Sequence, residues 1–243
     1  MFEVQIKFHG ELNVFPARRD RNKTVKVRLK EHSSVKDVIE RRGVPHPEVL
    51  KILANGKAAG FDYNVRDRDI IDVYPFSEAA GSDGFVENPL PEPRFVLDVH
   101  LGTLAKRLRL LGFDTYYRND LDDPEIAEIA EKENRIVLTR DIGLLMRARI
   151  RYGRWIRSQH TEKQLEEVIR RFRLKDKIKP LSLCINCSGS LSPAAKESVK
   201  DDVDTDTYSY YDEFFRCKSC GQVYWKGSHF DKLLKTIDKW KNR

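Results

Sequence analysis

Apolar and polar residues alternate in the opening stretch FEVQIKF. A period of two residues is typical of a half-buried strand. Pro and Gly end the single helical stretch, and an Asn-Gly pair marks a hairpin. The pattern predicts strands at 2–8, 24–29, 49–54 and 70–74, a helix at 35–42 with Ser33 or Ser34 as its N-cap, and a turn at Asn55 and Gly56.

This ββαβ(β)β order resembles that of ubiquitin-like β-grasp domains and small sulfur-carrier proteins, with which it shares the LANG hairpin and the DRDIIDVYP strand. The resemblance implies a β-grasp domain over residues 1–76. Sulfur carriers act through a free C-terminal Gly-Gly, whereas here the chain continues without one. We therefore expect the domain to bind RNA, a protein partner or the rest of the chain, rather than to carry sulfur.

Residues 77–93 are rich in Ser, Gly and Pro and predict a linker. From 94 to 180, short apolar strands alternate with amphipathic helices, which is typical of an α/β domain with a parallel sheet flanked by helices. The expected strands are RFVLDVH, FDTYYR, RIVLT and GRWIRS. Two helix starts are predicted from capping residues: Asp123 as N-cap before Pro124, and Thr161 as N-cap with Gln164 three residues later. The stretch DIGLLMRARI predicts a further helix, and GSHFDKLLKTIDKW predicts one at 227–240.

Three aspartates follow or flank the expected strands. Asp98 ends FVLD, Asp141 ends IVLTRD, and Asp123 opens the helix after the second strand. Ligands of parallel α/β sheets bind beyond the carboxyl ends of the strands, so we expect these acids to converge. Converging carboxylates repel one another unless a cation joins them, and oxygen ligands suit Mg²⁺ or Mn²⁺. The alternative for Asp123 and Asp141 is simple helix capping, whereas Asp98 has no comparable local role in the sequence pattern.

Basic residues are concentrated in one segment. The chain carries a net charge of +7, but residues 147–179 contain 12 Lys or Arg against 4 Asp or Glu, a net of +8. Such a stripe favours a polyanionic partner, and the alternative is a solvated helical face. The arginines that we expect to contact RNA phosphates are Arg107, Arg109, Arg140, Arg147 and Arg149. For Arg109 and Arg140, neutralising the acid cluster is an open alternative.

All four cysteines lie in two CxxC pairs, Cys184–Cys187 and Cys217–Cys220, which are separated by 29 residues. Two such knuckles predict one structural zinc site with four thiolate ligands and no open position for catalysis. The predicted ribbon spans 181–243. The sequence contains no apolar run long enough to cross a membrane and does not begin like a signal peptide, so we expect no membrane association and a cytoplasmic location.

Several of these motifs together resemble the Mut-seven C-terminal ribonuclease family, a PIN-like domain joined to a zinc ribbon. The resemblance rests on FVLDVHLGTLAKRLRLLGFDT, DDPEIAEIAEKENRIVLTRD, the CxxC pairs and VYWKGSHFDKL, and the β-grasp module often precedes that domain. It implies a divalent-metal site at Asp98, Asp123 and Asp141, basic positions at Arg109 and Arg140, and zinc ligands at the four cysteines. PIN nucleases usually carry a fourth acid, which the stretch IGLLMRARIRYGR lacks.

Two functions follow from this pattern. The first is a Mg²⁺- or Mn²⁺-dependent ribonuclease, for which a structured RNA such as tRNA is a candidate substrate. The second is an RNA-binding or adaptor protein whose PIN-like core is degenerate. In either case the β-grasp domain could also bind a protein partner.

Overall fold

The computed structural model describes residues 2–75, 91–227, 230, 234 and 235. Most of the predicted linker 77–93 and of the helix predicted at 227–240 therefore lies outside the described residues. The chain forms two compact units, each made of two stretches of sequence. One unit comprises Met1–Glu92 and Leu121–Arg157, and the other comprises Pro93–Asp120 and Ser158–Arg243.

The first unit begins with the β-grasp fold that the sequence predicts. The elements are β1 (Phe2–Phe8), β2 (Thr24–Leu29), α1 (Val35–Arg41), β3 (Val49–Ala54), β4 (Lys57–Ala58) and β5 (Ile70–Pro75). The sheet has the order β2-β1-β5-β3-β4, in which β1 pairs antiparallel with β2 and parallel with β5. The helix α1 covers the sheet, and its apolar face joins a core that contains Val4, Ile6 and Val38.

Local signals in this domain are confirmed. Ser34, rather than Ser33, is the N-cap of α1, and it forms a capping box with Asp37. Asn55 and Gly56 both have positive φ, at 52° and 76°. A two-residue hairpin turn of type I′ requires positive φ at both positions, and Asn-Gly is the pair that tolerates it best.

The same unit contains α3 (Asp123–Glu133), β8 (Ile136–Thr139), α4 (Ile142–Leu145) and β9 (Gly153–Trp155). The strands β8 and β9 pair in parallel, with Thr139 opposite Trp155. The helix predicted over DIGLLMRARI is much shorter than expected. It ends because Met146 and Arg147 donate to carbonyls three residues back, which tightens the chain into turns.

The β-grasp domain packs directly on β9 through a 3₁₀ turn, His46–Glu48. Glu48 and Arg154 are 0 % and 3 % exposed and form an ion pair of 2.8 Å. The other carboxylate oxygen of Glu48 accepts the backbone N–H of Trp155 at 2.7 Å, and Glu11 binds Arg154 at 3.0 Å. The domain is therefore fixed to β9 by a buried polar network.

The second unit contains β6 (Phe95–Leu97), α2 (Gly102–Leu110), β7 (Thr115–Tyr116) and α5 (Thr161–Arg171). Here β6 and β7 pair in parallel, as β8 and β9 do, which confirms an α/β fold with a parallel sheet. The helices bury the apolar faces that their periodicity predicts, around the ring contact of Phe95 with Phe172 at 5.9 Å.

The ribbon also belongs to the second unit. Its elements are β10 (Leu191–Ala194), α6 (Thr205–Tyr210), β11 (Phe214–Cys217) and β12 (Val223–Trp225). The three strands pair antiparallel in the order β10-β11-β12, and α6 precedes the central strand.

Both predicted helix starts were wrong by one residue. The N-cap of α3 is Asp122, because its carboxylate and that of Glu125 close a reciprocal capping box. The N-cap of α5 is His160, whose side chain forms no capping bond. The side chain of Gln164, which was expected to complete a capping box with Thr161, donates to the carbonyl of Ser158. Thr161 and Asp123 are the first residues of their helices.

Candidate active site and four-cysteine centre

Asp98 follows β6 and is 6 % exposed. Its Oδ1 accepts the backbone N–H of His100 at 2.9 Å, which caps the 3₁₀ turn Val99–Leu101. The expectation that Asp98 has no local role was therefore wrong: the chain turns at once after β6, and that turn has an N-terminus to cap. The capping bond offsets part of the free energy that burial of a carboxyl group costs.

Asp141 follows β8 and is exposed. Its Oδ1 accepts the backbone N–H of Gly143 at 2.7 Å, so Asp141 is the N-cap of α4. The backbone N–H of Asp141 is in turn held by the Thr139 hydroxyl at 2.8 Å. These bonds fix the carboxyl group at the carboxyl end of a buried parallel strand, and leave its second oxygen outside the cap.

Asp123 lies in the first turn of α3, where its carboxylate is 3.5 Å from the guanidinium of Arg147. Both side chains are about two-fifths exposed, at 41 % and 43 %. An exposed pair of this kind contributes little to stability, on the order of 0–1 kcal/mol. Arg147 is thus in contact with Asp123, one of the three aspartates that we expect to bind a metal ion.

The predicted RNA-contacting arginines have different environments. Arg140 and Arg149 are exposed, and Arg149 pairs with Glu131 at 3.5 Å. Arg107 is 40 % exposed in its side chain and pairs with Glu162 at 3.4 Å. Arg109 differs from all of these because it is 5 % exposed and donates to three backbone carbonyls. Because its guanidinium is buried, Arg109 does not present its donors to the phosphate of an RNA at the surface.

The four cysteines come together as their spacing predicts. Cys184 and Cys220 have sulfur atoms 3.6 Å apart, and those of Cys187 and Cys217 are 3.5 Å apart. All four sulfur atoms lie within 4.8 Å of one another. Tetrahedral zinc with Zn–S bonds of about 2.3 Å needs sulfur atoms about 3.8 Å apart, so the donor set fits the ion and could bind it.

Hydrogen bonds to the sulfur atoms add to this fit. Burial opposes ionisation of Cys217, but the backbone N–H groups of Cys220 and Ser219 outweigh it and lower the pKa of this thiol to about 6. Burial raises the pKa of the Cys187 thiol to about 12. The Tyr224 hydroxyl lies 3.1 Å from the Cys184 sulfur. A metal that displaces the remaining thiol protons would find one ligand already ionised at neutral pH.

Within the described ranges, the four cysteines are the only group of three or more His, Cys, Asp or Glu whose ligand atoms all lie this close together. A metal role for Asp98, Asp123 and Asp141 therefore stays a prediction.

Sequence reasoning missed the roles of Glu48, Arg154 and Tyr224. Glu48 and Arg154 are separated by 106 positions, so no local pattern could have paired them. Tyr224 lies four residues after Cys220 on β12, and a tyrosine so close to a knuckle is the only signal that it contacts the cysteines.

None of the helices in the described part of the chain combines the length and the apolar character needed to span a bilayer.

The two parallel strand pairs, the β-grasp module and the four clustered cysteines define an α/β protein with an appended four-cysteine ribbon. Residues 93–237 match the Mut7-C RNAse domain, and residues 1–81 match the Mut7-C ubiquitin domain. The chain therefore belongs to the Mut7-C RNAse domain family, and the resemblance noted in the sequence is confirmed.

No curated protein matches the chain. Among solved structures, the chain is similar to one described as "Putative molybdopterin converting factor, subunit 1" from Pyrococcus furiosus. The two are 20% identical, the match covers 31% of this chain and 98% of the other, and the TM-score is 0.26.

Proposed function

We propose that this protein is a metal-dependent ribonuclease in which Asp98, Asp123 and Asp141 hold Mg²⁺ or Mn²⁺. The observation that carries the proposal is the match of residues 93–237 to a ribonuclease domain, since this range contains all three acids. Their positions add support, because Asp98 and Asp141 each follow a parallel strand and so stand where α/β proteins bind ligands. The capping bonds described above orient these two carboxyl groups.

The chemistry of the acids fits a hard cation that prefers oxygen ligands. Such an ion, when bound, lowers the pKa of water and stabilises negative charge on a phosphodiester. The task of the three aspartates is to hold the ion and to fix its position relative to the RNA backbone. Thr139 contributes by holding the backbone of Asp141 through its hydroxyl.

Exposed and partly exposed arginines supply the contacts to phosphate. We assign this role to Arg107, Arg140, Arg147 and Arg149, and we leave out Arg109 because its guanidinium is buried on carbonyls. The exposed ion pairs of Arg107, Arg147 and Arg149 are weak, so an RNA phosphate can replace the carboxylate partner at little cost. The basic stripe 147–179 suits a folded RNA such as tRNA, whose shape presents many phosphates.

The cofactors proposed are one catalytic Mg²⁺ or Mn²⁺ and one structural Zn²⁺, the latter bound by Cys184, Cys187, Cys217 and Cys220. Because four thiolates complete the zinc coordination, the ribbon has a structural task. The β-grasp domain uses one of its surfaces, His46–Glu48, on β9. A protein partner would therefore bind a different surface of that domain.

A second candidate function is RNA binding without cleavage. It is favoured by the missing fourth acid after Asp141 and by the local capping roles of Asp98 and Asp141. A ribonuclease would cleave the RNA that it binds, whereas a binding protein would leave that RNA intact.

The test is incubation of the full chain with a pool of small cellular RNAs in Mg²⁺, Mn²⁺ or EDTA. The variant Asp98→Asn/Asp141→Asn keeps an oxygen for each capping bond and removes the charges, and its unfolding midpoint is compared with that of wild type to check the fold. Asp120→Asn is the matched control, because Asp120 is 77 % exposed and its carboxylate forms a surface ion pair with Arg118 at 3.0 Å. We expect metal-dependent cleavage by wild type and Asp120→Asn, and EDTA-like background from the double variant. Equal RNA retention by all three proteins with no cleavage would support the binding function instead.

A further inference from the structure

Arg109 connects the end of α2 to the first cysteine knuckle. Its Nε donates to the carbonyl of Thr115 at 2.9 Å, and its Nη1 donates to the carbonyls of Ile185 and Asn186 at 3.0 and 2.6 Å. Ile185 and Asn186 are the two residues between Cys184 and Cys187. Their carbonyls can face Arg109 together only while the knuckle keeps its turn.

Ser188 makes a second connection between the same two segments. Its hydroxyl accepts the backbone N–H of Thr115 at 3.1 Å and donates to Asp114 at 3.3 Å. Ser188 has a φ of +62°, a conformation that costs free energy for a residue with a side chain. The knuckle therefore places Ser188 against β7 despite local backbone strain.

Arg109 also interacts electrostatically with Cys184 and Cys187. Burial lowers the pKa of Arg109, while the neighbouring Cys184 and Cys187 raise it. Four thiolates and one divalent zinc carry a formal charge of about −2, and a buried cation beside them reduces the cost of gathering that charge. The guanidinium is thus complementary to the loaded centre as well as to the knuckle carbonyls.

We propose that Arg109 and Ser188 couple metal binding at the four-cysteine centre to the order of the α2–β7 segment of the ribonuclease domain. In the loaded centre the metal holds Cys184 and Cys187, the knuckle presents its carbonyls and hydroxyl, and residues 102–116 are fixed. In the stripped centre these contacts lose their support, and residues 102–116 loosen directly after the segment that contains Asp98. The inference rests on the zinc site proposed above, and does not depend on cleavage of RNA. Arg109 and Ser188 are positioning residues.

The experiment begins with native mass spectrometry of the full chain, which we expect to show one zinc per chain. Hydrogen exchange is then compared between the zinc-loaded and the chelator-stripped protein. In wild type, stripping should raise exchange both in residues 184–190 and in residues 102–116. Ser188→Gly accepts the positive φ and removes the side chain together with its hydroxyl. In this variant and in Arg109→Met, residues 102–116 should already exchange fast with zinc bound. Lys106→Met is the control on the same helix, because Lys106 is exposed, and its hydrogen exchange should match that of wild type.

Release of zinc to a chromophoric chelator gives a second readout that a purely structural arginine would not change. Arg109→Met should release zinc roughly 10-fold faster than wild type, and Arg109→Lys, which keeps the charge, should lie between them. If Arg109→Met does not fold, Ser188→Gly and Arg109→Lys carry the test.

The inference is overturned if stripping raises exchange in 184–190 and leaves 102–116 unchanged in wild type. It is also overturned if the full chain binds no zinc, and in that case the zinc site fails with it. Cleavage of RNA is measured separately, so the ribonuclease proposal stands or falls on its own result.

Discussion

Substitution of Glu48 by Gln should destabilise the first compact unit strongly. Glu48 is fully buried and accepts hydrogen bonds from Arg154 at 2.8 Å and from the backbone N–H of Trp155 at 2.7 Å. Gln keeps one acceptor oxygen and turns an N–H₂ group toward a donor. Loss of one partner of a buried ion pair costs about 3–5 kcal/mol. Because Arg154 retains Glu11 at 3.0 Å, we expect the lower end, about 3 kcal/mol.

The measurement is thermal and urea unfolding, followed by circular dichroism. A loss of about 3 kcal/mol corresponds to a midpoint roughly 6–12 °C lower for a protein of this size. The control Glu131→Gln removes an exposed carboxylate, which is 52 % exposed and pairs with Arg149 at 3.5 Å. We expect that variant to unfold within about 0.5 kcal/mol of wild type.

A third protein, Glu48→Leu/Arg154→Met, distinguishes the cost of leaving one buried charge unpaired from the effect of removing both charges. Replacing both charges with apolar side chains removes the buried unpaired charge, so the double variant should be more stable than the sum of its single variants predicts. If Glu48→Gln unfolds at the wild-type midpoint, the ion pair is not buried and the packing of the β-grasp domain on β9 is wrong.

Three further predictions concern other parts of the chain. Asp69 accepts hydrogen bonds from Arg66, Asn55 and Tyr63, and although burial opposes ionisation, these bonds lower its pKa below 3.8. Its contribution is therefore present above pH 3.8 and is lost as the pH falls through the folded-state value, so Asp69→Asn should be destabilised at pH 7 and approach wild type in acid unfolding curves. Gly112 has a φ of +88°, and in Gly112→Ala the new Cβ would lie 2.3 Å from the Lys179 carbonyl oxygen. This variant should lose more unfolding free energy than the control Gly221→Ala, in which the new Cβ has no atom within 4 Å. Equal losses in the two variants would contradict the close approach of Lys179 to Gly112. Cys217→Ser should bind less zinc than wild type by elemental analysis, and Ser219→Ala should bind the same amount, because it keeps the backbone N–H that reaches Cys217.

Hydrophobic periodicity and motifs of residues close in sequence were sufficient to predict most of the fold. The strand β1 buries Val4, Ile6 and Phe8 because a period of two places alternate side chains on one face. The Asn55-Gly56 turn and the paired cysteines were equally predictable, since each depends on neighbours in sequence. The position of Arg109 also had a signal: it lies four residues after the buried Ala105, on the same face of α2.

Other features depend on contacts that no local pattern contains. Either Asp122 or Asp123 could have capped α3, and only the register of Glu125 in the folded turn decides between them. The Glu48–Arg154 pair joins residues from distant parts of the chain. Convergence of Asp98, Asp123 and Asp141 was inferred from a general rule about strand ends and stays a prediction.

The central claim is tested most directly with Asp141→Asn on a single RNA that the wild-type protein cleaves in Mn²⁺. Asn keeps the oxygen that caps Gly143, so the local fold should persist while the charge is lost. We predict RNA binding equal to or slightly tighter than wild type, because a negative charge is removed, together with loss of Mn²⁺-dependent cleavage. Cleavage at the wild-type rate by Asp141→Asn would contradict the assignment of the active site to these aspartates.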